Sequence, residues 1–188
     1  MKILMLGNSF TYYNNLDQLI AALTGWDVHR ITRGGAFLFQ FLNPQDELNQ
    51  RMNEALKSTK WDYVVLQEQS NTPALRPTLF HASVSKLCEL IRENGAQPVL
   101  YATWAYREGS KKLATVGMNY QEMAEKLYNA YHKAAKDNNT LTADVGEAFS
   151  AVCGTINPYA ADDYHPSEAG SSIAAALIIQ SIQCHLNQ

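Results

Sequence analysis

The chain has 188 residues, a formal net charge of -3, 46% hydrophobic residues and 18% charged residues. That length suits a single domain over residues 1–188, which buries roughly 70% of its unfolded surface and needs no staple. The mild acidity leaves no basic footprint, which argues against nucleic acid and anionic membrane as partners.

Ile3 to Leu6 is a short unbroken apolar run ending in Gly7-Asn8-Ser9, the pattern of a strand buried on both faces. Leu16, Leu19, Ile20 and Leu23 recur at helical spacing until Gly25. Val28 to Thr32 is a weaker strand closed by Gly34-Gly35, and Leu38 to Lys57 is mostly helical with a break near Pro44. Trp61 to Leu66 is the strongest strand signal. Pro77 opens a helix that stops at Asn94-Gly95, and Pro98 to Trp104 is a fourth strand. Ala105 to Gly117 is a long polar stretch with the profile of a functional loop. Tyr120 to Lys136 carries a helical stripe, Thr140 to Val145 is a short fifth strand, and Ser167-Glu168 caps a last helix through Ile182. Cys88, Cys153 and Cys184 are far apart and form no C-x-x-C pair, so they read as free thiols of a reducing compartment. No unbroken apolar run approaches ~20 residues, and the N-terminal run is too short for a signal-peptide core. The expectation is a cytoplasmic protein, or a secreted one if a leader has been trimmed.

Strands alternating with helices imply a parallel sheet covered on both faces, and ligands of such sheets bind at the carboxyl ends of the strands. The strand ends are Gly7-Asn8-Ser9, Gly34-Gly35, Gln67-Glu68-Gln69-Ser70-Asn71 and Trp104. Ser9 at the first of these is a nucleophile only if a base takes its proton, and Gly-Asn-Ser is also ordinary turn and cap composition. The base candidate is His165 in Asp162-Asp163-Tyr164-His165-Pro166. Asp162, three residues earlier, is spaced to return its carboxylate to the ring, whereas Asp163 at two residues points elsewhere. A polar loop ahead of a helix gives the same segment a purely structural reading.

An acyl-transfer site also needs N–H groups around an oxyanion. The backbone N–H groups of Ser9 and Gly35 and the side-chain amides of Gln69 and Asn71 are the candidates, with Asn71 equally a turn residue. Trp104 ends the fourth strand, Tyr106 and Arg107 lie in the long loop after it and Tyr12 follows Ser9, so these four are candidate cleft residues; Tyr13 borders the same place. No Cys/His spacing resembles a zinc site and G-x-G-x-x-G is absent, so no metal and no organic cofactor is expected.

Four blocks in order resemble the SGNH/GDSL hydrolases. Gly7-Asn8-Ser9-Phe10 resembles the Gly-Asp-Ser block with Asn for Asp, and Arg33-Gly34-Gly35-Ala36 resembles the glycine block. Val64 to Asn71 resembles the strand ending in Gly-x-Asn, with Gln69 in place of the Gly, and Asp162 to His165 resembles the Asp-x-x-His block. The V-V-L-Q-E-Q-S stretch is closest to a little-characterised subgroup. The resemblance implies a three-layer α/β/α sandwich with about five parallel strands in flavodoxin-like order. It also implies a serine esterase using Ser9, His165 and Asp162, with Gly35 and Asn71 in the oxyanion hole. The expected substrate is a small ester, tilted toward O-acetyl groups on carbohydrates. The alternatives are a lysophospholipase or thioesterase for longer acyl chains and a non-catalytic carbohydrate- or protein-binding module.

Overall fold

The computed structural model describes residues 1–187. Five strands form one all-parallel sheet: β1 (Lys2–Gly7), β2 (Asp27–Thr32), β3 (Tyr63–Leu66), β4 (Gln97–Ala102) and β5 (Leu141–Asp144). Their order in the sheet is β2-β1-β3-β4-β5, the flavodoxin-like arrangement expected from the resemblance. The chain reverses its direction of travel across the sheet between β1 and β3. A crevice therefore opens at the carboxyl ends of these two strands, where Ser9 and the Gln67–Asn71 turn lie.

The strands that read as unbroken apolar runs are buried on both faces because successive side chains feed opposite cores. Leu4 and Leu6 of β1 join Val64, Leu66 and Leu100 in one cluster, while Ile3 and Met5 join Tyr63, Val65, Val99 and Tyr101 in the other. The first face is covered by α3 (Glu47–Ser58), α5 (Pro77–Asn94) and α7 (Tyr120–Asn138), through Met52, Phe80, Leu87 and Tyr131 among others. The second is covered by α2 (Leu16–Thr24), α8 (Val145–Val152) and α9 (Glu168–Leu186), through Leu16, Ile20, Phe149, Ala174 and Ile178. Each such apolar side chain contributes about 1.5–3 kcal/mol when fully buried. By length and its mean hydropathy of 1.2, α9 resembles a membrane-spanning helix. Here its residues Ala174, Ala175, Ile178 and Ile182 are fully buried against the sheet.

Three short helices complete the chain: α1 (Ser9–Tyr12), α4 (Thr72–Leu75) and α6 (Lys111–Ala114). The stretch from Leu38 to Lys57 divides at Asn43-Pro44 into a 3-10 turn (Leu38–Leu42) and α3, because the residue before a proline is driven out of the helical region. Two expectations are corrected. The fourth strand ends at Ala102, and Thr103 and Trp104 already belong to the loop. Val145 is the first residue of α8 rather than the end of β5. Nothing in the sequence pattern separates that helix from a loop: it is eight residues long with Gly146 at its second position. Its apolar Val145 and Phe149 nevertheless fall one turn apart and are both fully buried.

Gly146 is glycine because α8 starts against β4. A Cβ there would lie 2.4 Å from the Thr103 carbonyl oxygen. Gly146→Ala is therefore expected to lower the unfolding free energy by ~1–3 kcal/mol in urea titrations. An unchanged midpoint would mean that α8 moves freely away from the sheet.

Candidate active site

Ser9 is the first residue of α1, directly beyond the carboxyl end of β1. Asn8 caps that helix: its Oδ1 accepts the Phe10 N–H at 3.2 Å. Its Nδ2 donates to the Ala36 carbonyl at 2.9 Å, which ties the serine turn to the glycine loop. The Asn8 N–H and the Thr11 hydroxyl both donate to Gln67 Oε1, each at 2.9 Å. That oxygen lies so near the chain that a Cβ on Gly7 would be 2.6 Å from it and 2.4 Å from Thr11 Oγ1. Gly7 thus serves close approach, with the first strand and the third joined through it.

His165 Nε2 is 2.8 Å from Ser9 Oγ, and His165 Nδ1 is 2.6 Å from Asp162 Oδ2. An ionised carboxylate can only accept, so Nδ1 carries the proton and Nε2 is left to accept from the serine hydroxyl. Asp162 Oδ1 accepts the backbone N–H groups of His165 at 3.0 Å and Tyr164 at 3.2 Å. Burial works to raise the Asp162 carboxyl, but the ring and backbone hydrogen bonds outweigh it and hold it below the ordinary carboxylate value. Asp163 turns away, as its spacing predicts. It adopts φ +65° and pairs with Arg107 Nη1 at 3.1 Å.

The His165 ring is walled by aromatics. Tyr13 stacks on it at 4.3 Å between centroids and 4° between planes, Phe10 meets it edge-on at 5.5 Å, and Tyr164 lies 4.0 Å away. Asn14 and Asn15 turn the chain beside Tyr13 in the left-handed region. Asn14 Nδ2 then donates to the Pro166 carbonyl at 3.0 Å and Ser171 Oγ at 2.9 Å. These contacts clasp the serine turn to the histidine loop across more than 150 residues of chain.

Of the amide candidates, the backbone N–H of Ser9 heads a helix, where it has no partner within the helix. Gly35 is exposed, with φ +67° and open space around its α-carbon. The two side-chain amides are distinguished by their neighbours. Gln69 Oε1 accepts from the Asn71 N–H at 3.1 Å and Thr72 Oγ1 at 3.0 Å, and its Nε2 donates to Ser70 Oγ at 3.2 Å. Its amide is folded into its own turn. The Asn71 side chain takes no part in these turn bonds.

The expected cleft residues are partly corrected. The Trp104 and Tyr106 side chains pack inside the protein rather than standing free beside Ser9, because both are buried to within 1%; Trp104 instead backs a cavity between α7 and α8 that also touches Gln121, Glu147 and Ser150. Trp104 is stacked between Phe10 and Phe149, at 4.6 and 3.9 Å, with Nε1 donating to the Tyr164 carbonyl at 3.0 Å. It props the serine turn and the histidine loop from below. The Tyr106 hydroxyl lies 2.7 Å from Ser70 Oγ, under the turn that carries Asn71. Arg107 is exposed but held on Asp163, and half-buried Tyr12 has its hydroxyl beside Gly34 at the rim. Sequence reasoning missed Asn8, Asn14, Gln67 and Glu68 as site builders. Each acts through a partner remote in sequence, so spacing carries no trace of it. Away from Ser9, one ligand atom each of His132, Asp144 and Glu147 lies within 4.8 Å of the others, the one grouping with a cation's donor set among the described residues. His132 and Asp144 lie 2.9 Å apart, a contact that becomes an ion pair once the ring is protonated.

A solved structure from Slackia heliotrinireducens, assigned to the SGNH hydrolases, shares 42% identity with this chain. It covers 97% of this chain and 98% of its own length, with a TM-score of 0.93. The chain belongs to the SGNH hydrolases. This hydrolase also shares its fold with a DUF4886 family protein from Bacteroides uniformis, at 21% identity, TM-score 0.77, and coverage of 96% of this chain and 82% of that one. An acetylxylan esterase from Geobacillus stearothermophilus matches at 20% identity and TM-score 0.67, covering 96% and 93% of the two chains. No protein-family profile and no curated protein sequence matches the hydrolase.

Asn8 gives a direct test of the serine turn. In Asn8→Asp, a carboxylate would face the Ala36 carbonyl in a buried position. The variant should lose ~1–3 kcal/mol of stability relative to wild type at pH 7. The deficit should shrink as pH falls and the carboxyl gains a proton to donate. A deficit that stays constant from pH 4 to 7 in urea titrations would contradict the assigned bond.

Proposed function

We propose that this hydrolase is a serine esterase in which Ser9, His165 and Asp162 perform acyl transfer. The observation that carries the reading is the relay from Ser9 Oγ to His165 to Asp162, at 2.8 and 2.6 Å. His165 Nε2 takes the hydroxyl proton as Ser9 Oγ attacks the ester carbonyl carbon. The resulting imidazolium is held by Asp162 and then protonates the leaving alcohol. Water attacks the acyl-serine by the same route and frees the acid. The oxyanion lies among the N–H groups of Ser9 and Gly35 and the amide of Asn71.

The substrate class we propose is an O-acetylated carbohydrate. Support comes from the shared fold with the Geobacillus acetylxylan esterase and from the aromatic surface of Tyr12, Tyr13 and Phe37 near the serine turn and glycine loop, none of them fully buried. Such rings pack well on the apolar faces of sugars. Tyr12 is the proposed contact to the alcohol portion. Turnover across p-nitrophenyl esters should be highest for acetate and fall as the acyl chain lengthens. A maximum at octanoate would assign a longer-chain esterase instead.

Ser9→Ala and His165→Ala should each lower kcat by roughly 10⁴–10⁶-fold without changing the circular dichroism spectrum. A fluorophosphonate probe should label wild type and not Ser9→Ala. Ser9→Ala with wild-type turnover sinks the mechanism.

The carboxylate and amide assignments separate in steady-state kinetics. Asp162→Asn should cost ~10²–10⁴-fold in kcat, and Asp163→Asn only a small factor. Asn71→Ala should cost ~10²–10³-fold with little change in KM, because its bond forms in the transition state. Gln69→Ala should cost less; the reverse order would move the donor to Gln69.

A further inference from the structure

Glu68 is the residue of the β3 turn that the esterase reading leaves without a task. It is fully buried, yet it is a carboxylic acid. Its Oε1 accepts two backbone N–H groups, from Leu38 at 3.1 Å and from Gln69 at 2.6 Å. Its Oε2 is buried with no hydrogen-bond partner. Leu38 begins the 3-10 turn just after the Arg33–Ala36 glycine loop, and Gln69 opens the turn that carries Asn71. One oxygen therefore bridges the two segments that supply Gly35 and Asn71. The turn after β3 and the segment after the glycine loop meet at it, and no other side chain makes both of these contacts among the described residues.

We propose that Glu68 is a positioning residue of the oxyanion hole, whose carboxyl fixes the spacing between the Gly35 loop and the Asn71 turn and does so in its neutral form. This rests on the esterase reading given above. The neutral form follows from the surroundings. Among the described residues no cation faces the carboxyl, and the titratable neighbour is Tyr131 of α7, itself fully buried. Leu38 and Gln69 offer only backbone N–H groups, and the α5 side chains of this core, Phe80, Val84, Leu87 and Ile91, are apolar. An unpaired buried carboxylate is costly, so the acid keeps its proton more tightly than usual. Burial raises its pKa to about 7 against the pull of the two N–H bonds.

The sign of the pH effect follows. Below about 7 the carboxyl is neutral, and its carbonyl oxygen holds both loops. Above that value it ionises and sets a buried negative charge three residues from Asn71, in a medium that screens it poorly. A developing oxyanion nearby is then opposed by a like charge. Wild-type kcat should therefore decline as pH rises through the Glu68 titration. Glu68→Gln keeps an oxygen for both N–H groups and cannot ionise, so it should retain kcat within about threefold at pH 6.5 and lose the alkaline decline. Glu68→Ala removes the bridge and should lower kcat ~10- to 100-fold, the scale of a small misplacement of catalytic groups. Its KM should stay within about twofold, because the ground state uses the oxyanion donors little.

The test is kcat and KM from pH 5.5 to 9 for wild type, Glu68→Gln and Glu68→Ala on one p-nitrophenyl ester, with Ser9→Ala alongside. Amide hydrogen exchange at Leu38 and Gln69 should quicken in Glu68→Ala and stay slow in Glu68→Gln. If Glu68→Ala does not fold, the pH profile of Glu68→Gln decides alone. Wild-type kcat in Glu68→Ala overturns the inference while leaving the esterase reading intact, provided Ser9→Ala is dead. So does an alkaline decline in Glu68→Gln equal to that of wild type, or no decline in wild type. Activity retained in Ser9→Ala overturns both.

Discussion

Gln67 Oε1 receives the Asn8 N–H and the Thr11 hydroxyl, and Gly7 is bare so that this oxygen can come close. This small junction fixes where the chain leaves the first strand. It couples that exit to the end of the third strand, the two neighbours that flank the crevice of the sheet. From there the dependences run outward. Asn8 reaches the glycine loop through Ala36, Phe10 rests on Trp104, and Tyr13 lies flat on His165. A buried hydrogen bond to an uncharged amide is worth only ~1 kcal/mol net, but leaving such groups unpaired costs more. The geometry of Ser9 is therefore maintained by what it would cost to break several satisfied buried groups at once.

The aromatic packing beneath the site works differently. Phe10, Trp104 and Phe149 form a near-parallel stack, with interplanar angles of 7° and 13°. The stack joins the serine turn, the exit of β4 and α8 into one rigid base. Trp104 also holds the Tyr164 carbonyl through its ring N–H. A rigid base of this kind suits a site whose reacting atoms must be kept within tenths of an ångström. Polar ties above and stacked rings below act on the same two loops.

Much of this was legible in the sequence, for identifiable reasons. The buried strands announce themselves because burial on both faces forces unbroken apolar runs such as Val64 to Leu66. The helix ends at Asn94-Gly95 and Ser167-Glu168 carry their stop and cap chemistry locally, and α5 spans the residues its Pro and Gly predict. Ser9, Asp162 and His165 stood out because chemical type, strand-end position and spacing agreed. What stayed hidden depends on partners far along the chain. Trp104 reads as a cleft residue from its place at a strand end, and only Phe10 and Phe149 reveal it as core. Gln69 and Asn71 carry the same amide group, and the turn's own hydrogen bonds separate them. Helix α8 is short and glycine-bearing, so its identity comes from packing on the sheet rather than from propensity.

The clasp made by Asn14 on Pro166 and Ser171 bears on how the molecule is made. Ser9 leaves a ribosome well before its partner His165, which follows it by 156 residues. Until the residues beyond Ser171 emerge and α9 folds onto the sheet, the serine turn has neither its stacking ring nor its clasp. The growing polypeptide thus carries an unassembled site while the residues between Ser9 and Ser171 are added, and the assembled constellation marks a chain whose two remote loops have folded onto each other.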